Sequence, residues 1–490
     1  MVTSWDTIKA IDNIFHPHSI AVVGSSPDPV SPGYQYLRFL VDAGYRGNLY
    51  PVNPRGMSIL GLSTYPKLAE IPGAVDFVIC CIRAELVLDL LRQCAQKKVK
   101  AVHLLTAKLS ETGDEKARCL ENEITKEAKE LGIRLIGPNC MGIYCPGERI
   151  SFNHDLCMEP GTVGAIVQSG GLAGEIVRLA ALRGVRFSKA VSYGNAADLN
   201  ETDFLEYFLW DDETKVILLY IEGVRNGEKF FQTLRRATQI KPVIILKGGR
   251  SRAGIRSAAS HTASVAGSMD AWQVLFRQTK AVQAQNLNEL LDLSVAFYFL
   301  PAITGKRVGI VGGGGGKSIL CSDQFEEAGL EVVPFPEEIV KLLESRKPGI
   351  TRWLGNPVDA SILASINLKS FDMLRYMANS PAFDLLSINT SEDSFYQGDL
   401  WIEFMEQEVK GALMVHRERL KPVIAVVGNP EIGHSAVDNW RWQALFRFRE
   451  QLTNEGIPVF PSPGRAATAV SKLVDYYRYR EKAGTSSVEK

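Results

Sequence analysis

The sequence predicts an α/β protein of three consecutive doubly wound domains with mainly parallel sheets, on two observations. The first is a pattern that three segments share: a strand-length β-branched run ending in glycine or small polar residues, an amphipathic helix, and a glycine as the helix stop. The segments are SIAVVGSSPDPVSPGYQYLRFLVDAGY, VGAIVQSGGLAGEIVRLAALRGV and RVGIVGGGGGKSILCSDQFEEAGL. The second is their spacing. The ends of the three apolar runs, Val23, Val167 and Val311, lie 144 residues apart each time, as expected of successive Rossmann/flavodoxin-like units of ordinary domain size.

The remaining elements follow in order. In a first domain, 1–146, apolar stretches at Asn48 to Val52, Val75 to Ile82, Ala101 to Leu105 and Ile133 to Ile136 are separated by helical patterns such as AELVLDLLRQCAQKK. That alternation is the mark of a parallel sheet with crossover helices. In a second, 147–300, Lys215 to Ile221 and Pro242 to Leu246 are buried strands with NGEKFFQTLRRATQI as the helix between them. A third, 301–490, carries FDLLSI, KPVIAVV and IPVF, again interleaved with helices. Breaks at Pro146 to Gly147 and at Pro301 to Gly305 set the boundaries.

Composition narrows the function. The 490 residues hold 55 Lys and Arg against 55 Asp and Glu, so there is no basic surplus and nucleic acid is not an expected partner. No apolar run nears the roughly 20 residues needed to cross a bilayer. The N-terminus MVTSWDTIKAIDNIF has no secretory h-region, and the protein is expected in the cytoplasm with no membrane contact. Eight cysteines without a C-x-x-C pair read as thiols of a reducing compartment. Cys140, Cys145, His154 and Cys157 fit no zinc spacing, so no metal site is expected.

After the first strand stand Gly24, Ser25, Ser26 and Pro27, without the later glycines of a dinucleotide fingerprint. Asn53 occupies the place where a nicotinamide site wants an acid for the ribose. What is left is a turn whose backbone N–H groups can face a diphosphate, followed by Arg55 as a cation for a further phosphate; a plain tight turn is the other reading. Val311 stands where a P-loop needs glycine, which excludes a Walker site at Gly312 to Lys317. Both Gln168 to Gly171 and Gly312 to Gly316 nevertheless open helices on which an anion can rest. His261 lies in GIRSAASHTASVAG, where small neighbours leave room for a group to be attached, and a neutral imidazole is a competent nucleophile toward a phosphoryl group. Glu222, ending the buried strand at Tyr-Ile-Glu-Gly, is the best candidate for the acid that orients it. On residues alone, a phosphohistidine and a structural histidine both stay open.

These segments together resemble the NDP-forming acyl-CoA synthetases, of the ADP-forming acetate–CoA ligase α-subunit type and, more distantly, succinyl-CoA synthetase α. SIAVVGSS, YPVNPRGMSILGLSTYP and GPNCMG are similar to the family's CoA-binding domain. QSGGLAGE, SYGNAADLNETDFLEY, LLYIEGV, PVIILKGGRS and SAASHTAS are similar to its second domain, and RVGIVGGGGGKS, GNPVDAS and GIPVFPSPGRAATAV to a third, flavodoxin-like one. The resemblance implies a phosphorylated His261 hydrogen-bonded to Glu222, with the phosphate held by the helix starting at Ser169, Gly170 and Gly171 and by an opposed helix starting at Gly314, Gly315 and Gly316. It implies coenzyme A along Gly24, Ser25, Ser26, Pro27, Asn53 and Arg55, its thiol end approaching Asn139. Four residues depart from the family's pattern: Ala263 for Gly, Arg83 for Pro, Lys108 near a usual Gly, and Lys317 after an all-glycine turn. The implied reaction makes acyl-CoA, ADP and phosphate from a small carboxylic acid, CoA and ATP, reversibly, through an acyl phosphate. No ATP-grasp stretch is recognisable, so ATP/ADP and magnesium are expected on a β-type partner in a hetero-oligomer. A non-catalytic CoA-binding homologue and, more weakly, a dinucleotide-dependent oxidoreductase are the alternatives.

Overall fold

Val23, Val167 and Val311, the three ends of the repeated apolar run, each close a parallel strand in the computed structural model. The structure describes residues 5–56, 58–261, 268–390, 398–428 and 439–488. The chain divides into two units, Met1–Leu290 and Leu291–Lys490.

The first unit opens with a five-stranded sheet: β1 (Ser19–Val23), β2 (Asn48–Val52), β3 (Phe77–Cys80), β4 (Ala101–Leu104) and β5 (Arg134–Ile136), in the order β2-β1-β3-β4-β5. All pairs are parallel. β1 is buried along its whole length, which is why it reads as an unbroken apolar run rather than an alternation. The following helix, Pro32–Ala43, is capped by Ser31, which accepts from the Tyr34 N–H, and stops at Gly44 in the left-handed region. The strand order reverses at β1. A crevice therefore opens beyond the carboxyl ends of β1 and β3, the place where open α/β sheets bind ligands.

A second sheet in the same unit comprises β6 (Gly142–Tyr144), β7 (Val163–Val167), β8 (Phe187–Ser192), β9 (Val216–Ile221), β10 (Val243–Lys247) and β11 (Val282–Ala284), ordered β11-β10-β9-β7-β8-β6. Five strands are parallel and β6 is an antiparallel edge. β8 carries no apolar run to announce it, because buried Ser188, Lys189 and Ser192 interrupt it. Lys189 is kept charged there by Asp211 at 3.0 Å and by Glu213, which supplies the ion-pairing a buried ammonium requires.

The two sheets are joined by backbone. Residues 135–141, leaving β5, run beside residues 192–199, leaving β8. Leu199 N–H donates to Leu135 O at 3.2 Å, Ala197 N–H to Gly137 O at 2.9 Å and Asn195 N–H to Pro138 O at 3.0 Å. Asp198 accepts both Arg134 guanidinium bonds at 2.9 Å and the Leu135 N–H at 2.8 Å. Gly194 sits at φ +55°, and a Cβ there would lie 2.2 Å from Pro138 O, so only glycine permits the approach.

In the second unit, β12 (Val308–Val311), β13 (Leu385–Thr390), β14 (Val423–Val427) and β15 (Val459–Phe460) form a parallel sheet in sequence order. Asn356 holds it at one edge, accepting from Ile310 N–H at 2.9 Å and donating to Val308 O and Val333 O at 2.8 Å. No described helix of the chain is long and apolar enough to cross a membrane.

Gly194→Ala should cost at least about 2 kcal/mol of stability, from left-handed strain plus the overlap with Pro138. Gly227→Ala, at a helix start with nothing within 4 Å of the new methyl, should stay within about 1 kcal/mol of wild type. Urea midpoints of the two variants check both; equal midpoints would contradict the close-approach argument.

Candidate active site

The crevice of the first sheet is built by two loops tied to each other. Gly24 turns the chain out of β1 at φ +91°. Ser25 is buried and its hydroxyl donates back to Val22 O at 2.7 Å, while Ser26 accepts from the Asp28 N–H at 3.2 Å and Pro27 is exposed. Asn53, at the end of β2, donates its amide to Ser25 O and accepts from the Arg55 N–H at 2.8 Å. Both ends of the Asn53 side chain thus fasten the crevice, and the Arg55 side chain is presented to solvent. Arg83, exposed, follows the end of β3.

The facing edge belongs to the second sheet. Ser169 caps the helix Gly170–Ala181, accepting from the Leu172 N–H at 3.4 Å, and a Cβ at exposed Gly171 would meet nothing within 4 Å. A helix that starts in open space presents its N–H groups and dipole to an anion. Beside it, Gln168, buried, accepts the N–H groups of Glu222 at 2.7 Å and Gly223 at 3.2 Å. Lys247 donates to Glu222 O at 2.7 Å. Glu222 is therefore pinned through its backbone from both sides, and its half-buried carboxylate accepts from Tyr220 at 3.2 Å.

Lys247 was missed by sequence reasoning, which ended the buried strand at Leu246. It is 1% exposed, its ammonium lies 5.4 Å from the centre of the Trp272 ring, and it donates to the carbonyls of Glu222 and Gly248. Burial brings it from the usual 10.5 down to about 8; the Glu222 carboxylate opposes that shift and Arg250 adds to it. Lys247 clamps the strand that ends in Glu222 to the loop that leads into the helix Arg252–His261.

Asn139 joins the two edges. It stands at φ +58° with its N–H on Thr106 O at 2.9 Å and its amide donating to Asn195 Oδ1 at 3.5 Å. Asn195 in turn donates to Glu111 at 2.8 Å and to buried Glu121 at 2.9 Å. Glu111 also accepts from the N–H of exposed Lys108 at 2.5 Å. The helix Arg252–His261 packs against this same turn, Ser110–Thr112. His261 ends that helix; its side chain and Ala263 lie outside the described residues. Asn195 lies in the segment SYGNAADLNETDFLEY, but neither it nor Glu111 and Glu121 was given a role from sequence.

In the second unit the glycine run divides in two. Gly312 and Gly313 take φ +106° and +86°, and a Cβ on Gly312 would lie 2.1 Å from Asn389 O. Gly314 is the cap of the helix Gly315–Glu327, and around Gly314 and Gly316 a Cβ would find open space. Lys317 is exposed on its first turn. Among the described residues no group of three or more His, Cys, Asp or Glu could hold a metal ion.

Two family models match the chain: a CoA binding domain over residues 18–146 and a succinyl-CoA ligase like flavodoxin domain over 160–297. The α subunit of acetate–CoA ligase [ADP-forming] I of Pyrococcus furiosus is 32% identical over 480 residues, 96% of this chain and 99% of the relative. The α subunit of that organism's enzyme II is 34% identical over 465 residues, 95% of this chain and 97% of the relative. The chain belongs to this family of ADP-forming acid–CoA ligase α subunits. A solved structure agrees with the ligase family: the dinucleotide forming acetyl-coenzyme A synthetase 1 of Ca. Korarchaeum cryptofilum, in complex with phosphate and ADP. It superposes with a TM-score of 0.80 at 29% identity, covering 97% of this chain and 98% of that one. The first sheet of this ligase subunit is thus its CoA-binding domain.

Lys247 gives a signed pH prediction. Its folded pKa of about 8 lies below the usual 10.5, so between those values the unfolded chain binds more protons and this group's contribution to stability rises with pH. The stability of wild type relative to Lys247→Met should therefore increase from pH 8 to 10.5, read from paired urea titrations. A flat difference would show that Lys247 is not a buried titrating cation.

Proposed function

We propose that the chain is the CoA-binding, phosphoryl-carrying subunit of an acid–CoA ligase that turns a small carboxylic acid, CoA and ATP into acyl-CoA, ADP and phosphate, reversibly. The observation that carries this reading is the convergence in the first unit: the helix that ends in His261 packs on Ser110–Thr112, the turn bound through Asn195 to Asn139. CoA lying in the β1–β3 crevice over Gly24, Ser25, Ser26 and Pro27, with Arg55 on a phosphate, would bring its thiol toward Asn139 and so toward the histidine. The three domains are 1–146, 147–300 and 301–490, with the two family matches inside the first two.

In the synthetic direction a ring nitrogen of His261 attacks the γ-phosphorus of ATP, the P–O bond to ADP breaks, and the histidine carries the phosphoryl group. A carboxylate oxygen of the acid then attacks that phosphorus, the N–P bond breaks and an acyl phosphate forms. The CoA thiol loses its proton, its sulfur attacks the acyl carbon, and the C–O bond to phosphate breaks. Glu222 accepts from the N–H of the second ring nitrogen, which leaves the other nitrogen bare to attack and stabilises the positive charge the ring gains as it takes the group. The helix start at Ser169 to Gly171 steadies the phosphoryl oxygens, the main catalytic contribution in transfers of this kind; the start at Gly314 to Gly316 offers N–H groups to an anion in the second unit. ATP, ADP and magnesium bind on an ATP-grasp β-type subunit, a partner supported by the α-subunit names of the relatives. Eight free thiols support a cytoplasmic setting.

A crossed pair of variants tests the assignment. In the assembled enzyme, ATP with magnesium should place an acid-labile, base-stable phosphate on this chain. His261→Ala should abolish labelling and turnover and leave CoA affinity nearly intact; Glu222→Gln should weaken labelling without removing it. Arg55→Ala should weaken CoA binding by about 1.5 to 3 kcal/mol, measured by calorimetry with NAD as the control, and leave labelling by ATP in place. Full activity of His261→Ala would remove the phosphohistidine; no labelling of this chain with CoA affinity intact would favour the non-catalytic reading, and tight binding of NAD without CoA the oxidoreductase one.

A further inference from the structure

In the second unit, residues at the carboxyl ends of all four strands border one cavity of about 280 Å³. Its floor is the turn at Gly312 and Gly313, where the helix Gly315–Glu327 begins. An anionic group there would meet the positive end of that helix. Past the turn the walls are largely apolar, with Leu320, Cys321, Val426 and Pro461, and the uncharged polar residues Gln324, Asn389, Thr390 and Ser462 also border the space. Lys317 is the single charged side chain among its described lining residues.

Three consequences follow from chemistry alone. The volume approaches the roughly 300 Å³ at which small-molecule pockets begin, so acetate would leave most of it unfilled. Apolar walls reward a hydrocarbon body, by roughly three- to fourfold in affinity for each methylene taken out of water. With one cation in the described lining, a second carboxylate would be desolvated without a partner, which is costly.

We propose that this cavity selects the acid substrate: a monocarboxylic acid with an uncharged, largely apolar body of several carbons, in preference to acetate or a dicarboxylate. The proposal rests on the ligase reading for the role of the acid and goes beyond it in naming the class. The carboxylate lies toward the glycine turn, and the body extends toward Leu320 and Pro461.

The test is binding of acetate, butanoate, hexanoate, phenylacetate and succinate to the full chain by saturation-transfer NMR with competition. Affinity should climb roughly three- to fourfold per methylene from acetate to hexanoate, and succinate should bind no better than acetate. Leu320 is 63% exposed, so Leu320→Trp narrows the cavity without disturbing the core and should cost hexanoate at least ten times more affinity than it costs acetate. A second narrowing variant, Gln324→Trp on the same helix, should act in the same direction. A flat series, succinate as the tightest ligand, or equal losses for every acid in both variants would overturn the proposal. Binding needs no turnover, so the two readings fail separately. A rising series with no acyl-CoA formed from any acid by the assembled enzyme would leave the cavity assignment standing and remove the ligase reading. Acyl-CoA formation with a flat binding series would do the reverse.

Discussion

The architecture of the first unit depends on one short stretch of paired backbone, residues 135–141 against 192–199. Each sheet alone is an ordinary α/β layer with its loops at its own carboxyl edge. Hydrogen bonds from Asn195, Ala197 and Leu199 to the Gly137–Pro138 strand exit join those edges, and the Arg134–Asp198 pair locks the register. Gly194 is what allows the approach. Because the crevice turn, Asn139 and the turn Ser110–Thr112 all emanate from the first sheet, this pairing decides what the helix ending in His261 meets.

The site is assembled mostly from neutral donors and backbone rather than from exposed ion pairs. Asn53 uses both ends of its side chain to hold two loops, Gln168 uses one oxygen to hold two N–H groups, and Asn195 bridges two carboxylates to Asn139. Such bonds fix geometry without salt sensitivity. Lys247 is the exception. A buried ammonium under Glu222 is held at a cost in stability, and its two carbonyl partners explain why it stays: they tie the acid's strand to the histidine's loop. Positioning of this kind is what phosphoryl transfer asks of a protein, since the reacting groups need little more than alignment and oriented dipoles.

The sequence revealed the fold well where a buried strand is an unbroken apolar run and poorly where the strand is very short or carries buried polar side chains. β1, β7, β9, β10, β12 and β14 are fully or nearly fully buried parallel strands, so their composition alone announces them. β6 and β11 are three residues long, too short for any period, and β8 hides a paired lysine in its middle. The crevice turn and both glycine-led helix starts were legible because they need small residues at fixed places. The five-glycine run was legible as a feature but not as two parts, since only the positive φ of Gly312 and Gly313 and the approach of Asn389 to Gly312 separate the glycines required by backbone from the rest. Gln168, Lys247 and Asn195 lay in segments that the sequence marked, but the supporting role of these three, and of Glu111 and Glu121, was not legible, because each acts on a neighbour brought by the fold rather than by the chain.

The central claim is that the CoA crevice and the histidine helix form one site across two sheets. Hydrogen–deuterium exchange of the full chain with and without CoA tests it most directly. CoA should slow exchange in residues 24–31 and 53–56 and, in the same titration, in 106–112, 139–141 and 248–261. Protection confined to the first two segments, with 106–112 and 248–261 unchanged at saturating CoA, would contradict it.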